Sequence, residues 1–462
     1  MKKPNILVIY PDQMRYDALG CNGNTVVKTP GLDRLSTEGV SFSNAYTSFP
    51  LCCPFRASLM TGKYATAHGM MANHYPISLN HEFLPSIMRD NGYRTGWVGK
   101  WHLNGGRKHD YVPQEYRLGF EHFVGFSRGH EYLNPIYYRD DDTTPYKSDM
   151  FEPDIQTCHL LEFIDDSLTD QVPFFAAIGY GVPHPSVDLS PDYYKYLYDP
   201  NEISESTLVS PNDSEAAKEF MAKYYGLVTC VDYQVQQIMN HLQYKGILDD
   251  TVIILVSDHG ELAYEHGLTG KKVFYNASMH VPFIIRYPSL CSPRCETQIV
   301  DPSVDIMPTI LNLCGITIPE DVEGRSLETL LRDGCDSTLP DYVFYQIPIE
   351  KEGPEKHPEA ERGIRTTSWL YVEVNAKPAY LFDLKNDPDE VQNLVNCPHV
   401  MGTQEKLSAL LRTTMQQYND RWDMEVIFPP IDFQTHEEGI AYNKIIYSSA
   451  VYENAPKKRF HK

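Results

Sequence analysis

Short apolar runs that stop at polar, chemistry-bearing residues punctuate the first two thirds of the chain. Asn5 to Tyr10 ends at Pro11-Asp12-Gln13, and Tyr93 to Val98 ends at Gly99-Lys100-Trp101-His102. Pro173 to Gly179 leads into Val182-Pro183-His184-Pro185, and Thr251 to Val256 ends at Ser257-Asp258-His259-Gly260-Glu261. Continuous runs of this length mark strands buried on both faces. Gly39 to Tyr46 and Val281 to Arg286 read as further strands. Helical signals lie between them. Pro30 suits a first helical position, and Phe83 to Asn91 is amphipathic and stops at Gly92. Tyr224 to Leu242 places Val231, Val235, Ile238 and Leu242 on one face. Strands alternating with helices predict an α/β fold, a doubly wound sheet over 1–340. In such sheets ligand-binding residues lie just past the carboxyl ends of strands, where Asp12 and Gln13 fall.

The pattern changes after about residue 340. Thr366 to Val374 alternates like a strand, and Leu407 to Tyr418 reads as a helix. A C-terminal subdomain over 341–462 is therefore expected, its last stretch a tail packed over the surface. Residues 289–300 and 317–340 read as loops. Residues 105–147 show no clear period and mix aromatic with cationic side chains, including Tyr111, Arg117, Arg128, Tyr132, Tyr137 and Arg139; a long irregular insertion is often functional.

Charge narrows the partners. The 62 acidic against 40 basic residues give a formal net charge of −22, which argues against nucleic-acid binding. An anionic substrate must then be drawn in by local cations against the overall field. No apolar run approaches the roughly 18 residues of a membrane span. The N-terminal apolar run is too short for a signal sequence, so a cytoplasmic location is expected, or a periplasmic one if a leader has been removed. The 10 cysteines form no zinc-type array and are expected to be reduced.

The most specific stretch is Leu51-Cys52-Cys53-Pro54-Phe55-Arg56-Ala57-Ser58-Leu59-Met60-Thr61-Gly62. It holds C-x-P-x-R followed after four residues by T-G, and it resembles the signature of the type I sulfatases of the alkaline-phosphatase-like superfamily. Pro54 biases Cys53 toward extended geometry, and the run after it would set Cys52 near a helix N-terminus, which favours an anionic substrate. The resemblance implies a large central mixed sheet sandwiched by helices, plus a small antiparallel α+β subdomain. It also implies that Cys52 is oxidised to formylglycine by a formylglycine-generating or anaerobic sulfatase-maturating enzyme. The hydrated aldehyde carries two hydroxyls on one carbon, so one can attack sulfur while deprotonation of the other expels sulfate.

The same resemblance assigns the other roles. Asp12, Gln13, Asp258 and His259 match the positions that, with the Cys52-derived group, hold a divalent cation, usually Ca2+. Here Gln13 stands for a carboxylate and His259 for an asparagine, which should weaken calcium and admit Mn2+ or Zn2+. Arg56, four residues after Cys52, would hold the hydrate. Lys100 would contact it and a sulfate oxygen, and His102, two positions on and on the same side if the strand continues, would deprotonate the second hydroxyl. His184 would protonate the leaving alcohol. Lys271, four residues before Tyr275, would share both tasks, with Lys272 as the alternative in register. His68, His74 and His266 lie close enough to motif segments to touch substrate.

The function expected is sulfate-ester hydrolysis, on a sulfated saccharide. That choice rests on residues 105–147, since sugar rings stack on aromatic faces while anionic substituents seek cations. The alternatives are a choline or aryl sulfatase, a phosphonate monoester or phosphodiester hydrolase of the same superfamily, and a non-catalytic sulfated-glycan-binding relative. The Gly-Lys-Trp-His element at 99–102 separates this chain from the phosphonate hydrolases. The complete set of nucleophile, base and acid weighs against a decayed enzyme.

Overall fold

A computed structural model describes residues 3–204, 206–350 and 357–424. Ten strands form one mixed sheet: β1 Asn5–Asp12, β2 Val40–Phe42, β3 Arg94–Lys100, β4 His122–Phe126, β5 Ile136–Arg139, β6 Asp142–Lys147, β7 Phe174–Pro183, β8 Thr251–Val256, β9 Phe283–Arg286 and β10 Arg294–Glu296. Their spatial order is β10-β2-β9-β8-β1-β7-β3-β4-β5-β6. The central strands β8, β1, β7, β3 and β4 are mutually parallel. Antiparallel pairings occur only toward the flanks, at β2/β9, β8/β9, β4/β5 and β5/β6.

The apolar runs are continuous because both faces of the sheet are covered. Ile6, Val8 and Tyr10 of β1 enter one core, with the Cys52–Thr61, Leu84–Asp90 and Pro302–Leu313 helices. Leu7 and Ile9 enter the other, with the Pro30–Glu38, Glu152–Thr169 and Ser214–Tyr244 helices. β8 divides in the same way, Val252, Ile254 and Val256 on one side and Ile253 and Leu255 on the other. Each such side chain contributes about 1.5–3 kcal/mol by leaving water. A helix-sheet-helix sandwich results.

A second sheet, β11 Tyr342–Ile347, β12 Glu361–Thr366, β13 Trp369–Val374 and β14 Lys377–Asp383, is an antiparallel meander. One face packs Phe344, Ile364, Tyr371 and Leu381 against Leu407, Leu411 and Met415 of the Met401–Gln417 helix. The other packs Val343, Tyr345, Leu370 and Phe382 onto Phe49, Leu51, Phe274 and Ile299 of the large unit. The Leu51 end of the signature stretch therefore lies beneath this second sheet.

Three sequence expectations change. Residues 105–147 are not irregular throughout: β4, β5 and β6 extend the main sheet, and Phe123, Phe126, Tyr132 and Tyr137 are buried. Those strands are only four to six residues long, too short to establish a period. Residues 289–300 include β10, and 317–340 include a helix at Glu328–Asp333. The tail expected over the surface lies, from 425 onward, outside the described residues. No helix of the described residues is long and apolar enough to cross a membrane.

Candidate active site

The parallel strands deliver the site. Asp12 is the last residue of β1, Lys100 the last of β3, His184 the first beyond β7, and Asp258 and His259 follow β8 by one intervening residue. All lie at the carboxyl edge of neighbouring strands. Cys52 enters from outside the sheet as the first residue of its helix, with extended Leu51 before it. Arg56 sits one turn further on, and every residue of that helix is buried.

Lys100 and His102 meet the site for a reason other than strand alternation. The strand stops at Lys100, and His102 takes a left-handed backbone with φ 65°. Its N–H donates to the Ser127 carbonyl at 2.6 Å, and its carbonyl accepts from the Cys53 thiol at 2.9 Å. Gln13, directly after β1, is likewise left-handed at φ 67°. Non-glycine residues held there cost about 1–3 kcal/mol and cluster at functional sites.

Cys52 Sγ is the point of convergence. Lys271 Nζ lies 3.1 Å from it, His259 Nε2 3.3 Å and Asp12 Oδ1 3.8 Å. The same Lys271 ammonium donates to Gln13 Oε1 at 2.8 Å. The second oxygen of Asp12 accepts from Lys100 Nζ at 2.7 Å and from Arg56 Nη2 at 3.2 Å. Arg56 also donates to the carbonyls of Lys100 and Trp101 and covers the Tyr10 ring. Lys272, the adjacent alternative, points away and pairs with Glu350 at 2.6 Å. Lys271 is thus the residue of the two that reaches Cys52.

Protonation follows from burial and from this concentration of cations. Burial, then Asp12, pushes the Cys52 thiol up to about 12. Burial also raises the Asp12 carboxyl, but Lys100, His184, Lys271 and Arg56 outweigh it and hold the group well below its ordinary range. His102 and His184 are both driven well below the usual imidazole range, by burial first and then by neighbouring positive groups. Both rings are neutral near pH 7, so each can accept a proton.

The residues present suit a divalent cation. Ligand atoms of Asp12, Cys52, Asp258 and His259 all lie within 4.8 Å of one another, and all four residues are buried. Asp258 Oδ2 has no hydrogen-bond partner among the described residues, an expensive arrangement for a buried carboxylate unless a cation faces it. His259 Nδ1 lies 3.0 Å from the Gly260 carbonyl, which fixes the proton there and leaves the Nε2 lone pair free for a ligand. Gln13 is oriented by its amide, which donates to Glu261 Oε2, so its oxygen faces the Lys271–Cys52 side.

The weaker histidines separate. His74 belongs to the site, its Nδ1 3.2 Å from His102 Nε2. His68 is bound to Ser58 Oγ at 3.0 Å inside the fold and supports the signature helix. His266 stacks on Tyr275 at 3.8 Å in a neighbouring groove with Arg15 and Asp17. Sequence reasoning missed His130, whose Nε2 is 3.2 Å from Lys100 Nζ. The strand-end rule would have found it, because His130 lies just beyond β4, another parallel strand. It also missed Glu261, which orients Gln13, since a buried carboxylate serving an amide carries no local sequence signature.

Comparison with known proteins agrees with this geometry. Residues 4–316 match the family model described as Sulfatase, and residues 264–417 that described as N-sulphoglucosamine sulphohydrolase, C-terminal. An ulvan-active sulfatase of Formosa agariphila is 30% identical over 91% of this chain and 82% of its own length. An N-acetylglucosamine-6-O-sulfatase of Bacteroides thetaiotaomicron is 25% identical over 91% of this chain and 87% of its own. A crystal structure from Bacteroides fragilis, assigned to the sulfatases, superposes with a TM-score of 0.84 at 28% identity, covering 91% of this chain and 97% of that one. With the strand-end constellation gathered on Cys52, these matches make the chain a member of the sulfatase family, an enzyme of the alkaline-phosphatase-like superfamily.

Proposed function

We propose that this enzyme hydrolyses sulfate esters of a sulfated saccharide, with Cys52 converted to formylglycine and one divalent cation, calcium-like, held by Asp12, Gln13, Asp258, His259 and the modified residue 52. The observation that carries the reading is the surroundings of Cys52 Sγ, with Lys271, His259 and Asp12 all within 3.8 Å. As a thiol the residue is a poor nucleophile, because burial and Asp12 keep it protonated and the thiolate is the reactive form. The sulfur therefore stands in for an oxygen of the aldehyde hydrate. A bound cation would polarise a sulfate oxygen and favour the ionised hydrate.

The protein's own groups do the rest. Lys271, Lys100 and Arg56 bring positive charge to the sulfate and hold the hydrate. His102, neutral and with Nδ1 lacking a partner among the described residues, takes the proton whose loss releases sulfate. The negative charge of bound sulfate raises the proton affinity of His184, which lets it protonate the leaving alcohol. Lys271 supports both steps from its place beside residue 52.

The saccharide assignment is supported by the relative named for N-acetylglucosamine 6-O-sulfate and by extra cations near the site. Arg128 and Lys108 act on His74 electrostatically, and Arg128 also on His102, so a second anionic substituent would be favoured there. The aromatic argument loses force, because the Tyr132 and Tyr137 rings lie in the core. The test has two parts. Peptide mass spectrometry of protein co-expressed with a maturating enzyme should show an aldehyde at position 52; active protein with an intact cysteine there ends the reading. The matured enzyme is then given sulfated mono- and disaccharides, choline sulfate, an aryl sulfate and a phenyl phosphonate. A phosphonate, choline or aryl substrate that exceeds every sugar by about tenfold in kcat/KM, roughly 1.4 kcal/mol of transition-state preference, overturns the saccharide assignment.

A further inference from the structure

The segment between β4 and β5 brings in a histidine that none of the steps above uses. His130 Nε2 lies 3.2 Å from Lys100 Nζ. Its ring stacks on that of His184 with 3.8 Å between centroids and 12° between planes. We propose that His130 is a positioning residue for the reaction: its edge fixes the Lys100 ammonium and its face braces the His184 ring, so that the sulfate-binding lysine and the leaving-group acid keep one geometry. This inference rests on the sulfate-ester reading of the same site.

Hydrogen-bond bookkeeping sets the state of the ring. An ammonium only donates, so the Nε2 facing Lys100 carries the lone pair and Nδ1 carries the proton. Nδ1 lies 3.4 Å from Tyr132 Oη. The single proton of that hydroxyl faces two carbonyls, that of Gly181 at 2.9 Å and that of His184 at 2.8 Å, and is shared between them. The donor chain thus runs from Lys100 through His130 and Tyr132 to the backbone of His184. It ties the end of β3 to the end of β7 in one direction only.

The groups of this chain are closely packed against Gly181. A Cβ on Gly181 would stand 2.5 Å from Glu152 Oε1, 3.1 Å from Tyr132 Cε1 and 3.4 Å from His130 Nδ1. Glu152 is fully buried, with the Gly181 backbone and the Gln156 amide as the groups that act on its carboxyl as donors. Burial raises its carboxyl to about 8, so near neutral pH it adds no fixed charge behind the rings. The charged and titratable groups that act on His130 are Lys100, Asp12, Lys271 and Lys108, with His184 and Tyr132 in contact. Burial and the lysines hold its imidazole well below the usual range, which keeps the accepting form in place.

Two variants separate the edge from the face. His130→Phe keeps a ring against His184 and removes the acceptor for Lys100. His130→Gln keeps an acceptor within reach and removes the stack. In matured enzyme, His130→Phe should lower kcat/KM on the order of 10²-fold, the scale of a slightly misplaced group, on nitrophenyl sulfate and sugar sulfate alike. His130→Gln should leave nitrophenyl sulfate nearly unchanged and slow the sugar sulfate, whose leaving group needs the proton. Both variants folded and within about two-fold of wild type would overturn the proposal, as would equal losses by both on both substrates accompanied by a fall in Tm. Nitrogen-15 NMR of the wild-type histidines gives a reading independent of turnover. A proton on Nδ1 of His130 and none on Nε2 is expected, and the reverse tautomer overturns the proposal. Matured wild type inert toward every sulfate ester would instead count against the sulfatase reading, and the NMR result would still judge His130.

Discussion

The two sides of residue 52 are built from opposite materials. On the β8 side stand Asp258, His259 and Gln13, where a carboxylate oxygen that makes no hydrogen bond faces the His259 Nε2 lone pair at 3.3 Å and Lys271 closes the rim through Gln13. On the β3 and β7 side stand Lys100, His102, His130 and His184, where every acceptor is neutral and every charge positive. The first arrangement suits a cation and the second an anion. Asp12 belongs to both, with one oxygen toward Cys52 and the other accepting from Lys100 and Arg56. The contrast shows how a chain of net charge −22 can hold a sulfate: opposite fields are kept a few ångströms apart and joined through one carboxylate.

Asp12→Asn attacks both sides together and should have the largest effect. It leaves Lys100 and Arg56 buried beside a neutral group, a loss of about 3–5 kcal/mol for a broken buried pair, with activity below detection. Denaturant unfolding and turnover measure the two consequences. Chelation attacks only the β8 side. It should abolish turnover while leaving the protein folded by circular dichroism, with calcium or manganese restoring activity. Full activity in protein shown metal-free by elemental analysis would dismantle the comparison.

The proton-handling side divides further. His102→Ala should stall release of sulfate and trap a sulfated enzyme visible by intact mass. His184→Ala should slow poor alcohol leaving groups by about 10²–10⁴-fold while sparing nitrophenyl sulfate. Equal losses on both substrate types would remove His184 from the acid role.

The effect with the least consequence for turnover lies behind the rings and is read in stability alone. The Glu152 carboxyl is raised from 4.5 to about 8 by burial. The folded state therefore binds more protons than the unfolded state between those values, and stability falls as pH rises across that window, by at most about 1.4 kcal/mol per pH unit. Glu152→Gln should flatten the dependence of Tm on pH between about 5 and 8. An unchanged slope would mean that Glu152 is already ionised.

What could be read from the sequence follows the range of each interaction. Asp12, Gln13 and Asp258 were legible because a buried strand announces its own end, Cys52 with Arg56 because five fixed positions crowd one short window, and Lys100 and His184 only through the family resemblance. The strand argument offered for His102 fails, since the strand stops at Lys100 and His102 takes a left-handed turn. The strands β4 to β6 were missed because a few residues show no period. Glu152 and Glu261 act through partners far away in sequence, with nothing beside them to hint at the contact, and His130 was missed because β4, the strand it follows, was itself missed. The neighbours Lys271 and Lys272 make the point sharply: only packing decides that one faces Cys52 and the other Glu350.

Cys52 is 2% exposed, at the head of a helix buried along its whole length, with the second sheet packed over Leu51 just before it. A separate enzyme needs several residues of extended chain in its own cleft to work on one side chain. In the finished molecule no such length can be lifted out without opening the sheet core that the helix enters and the packing of the second sheet over Leu51. On the formylglycine reading proposed above, residue 52 would therefore have to be modified before β11 to β14 have docked. A molecule that folds first would keep its thiol, and supplying the modifying enzyme afterwards would come too late.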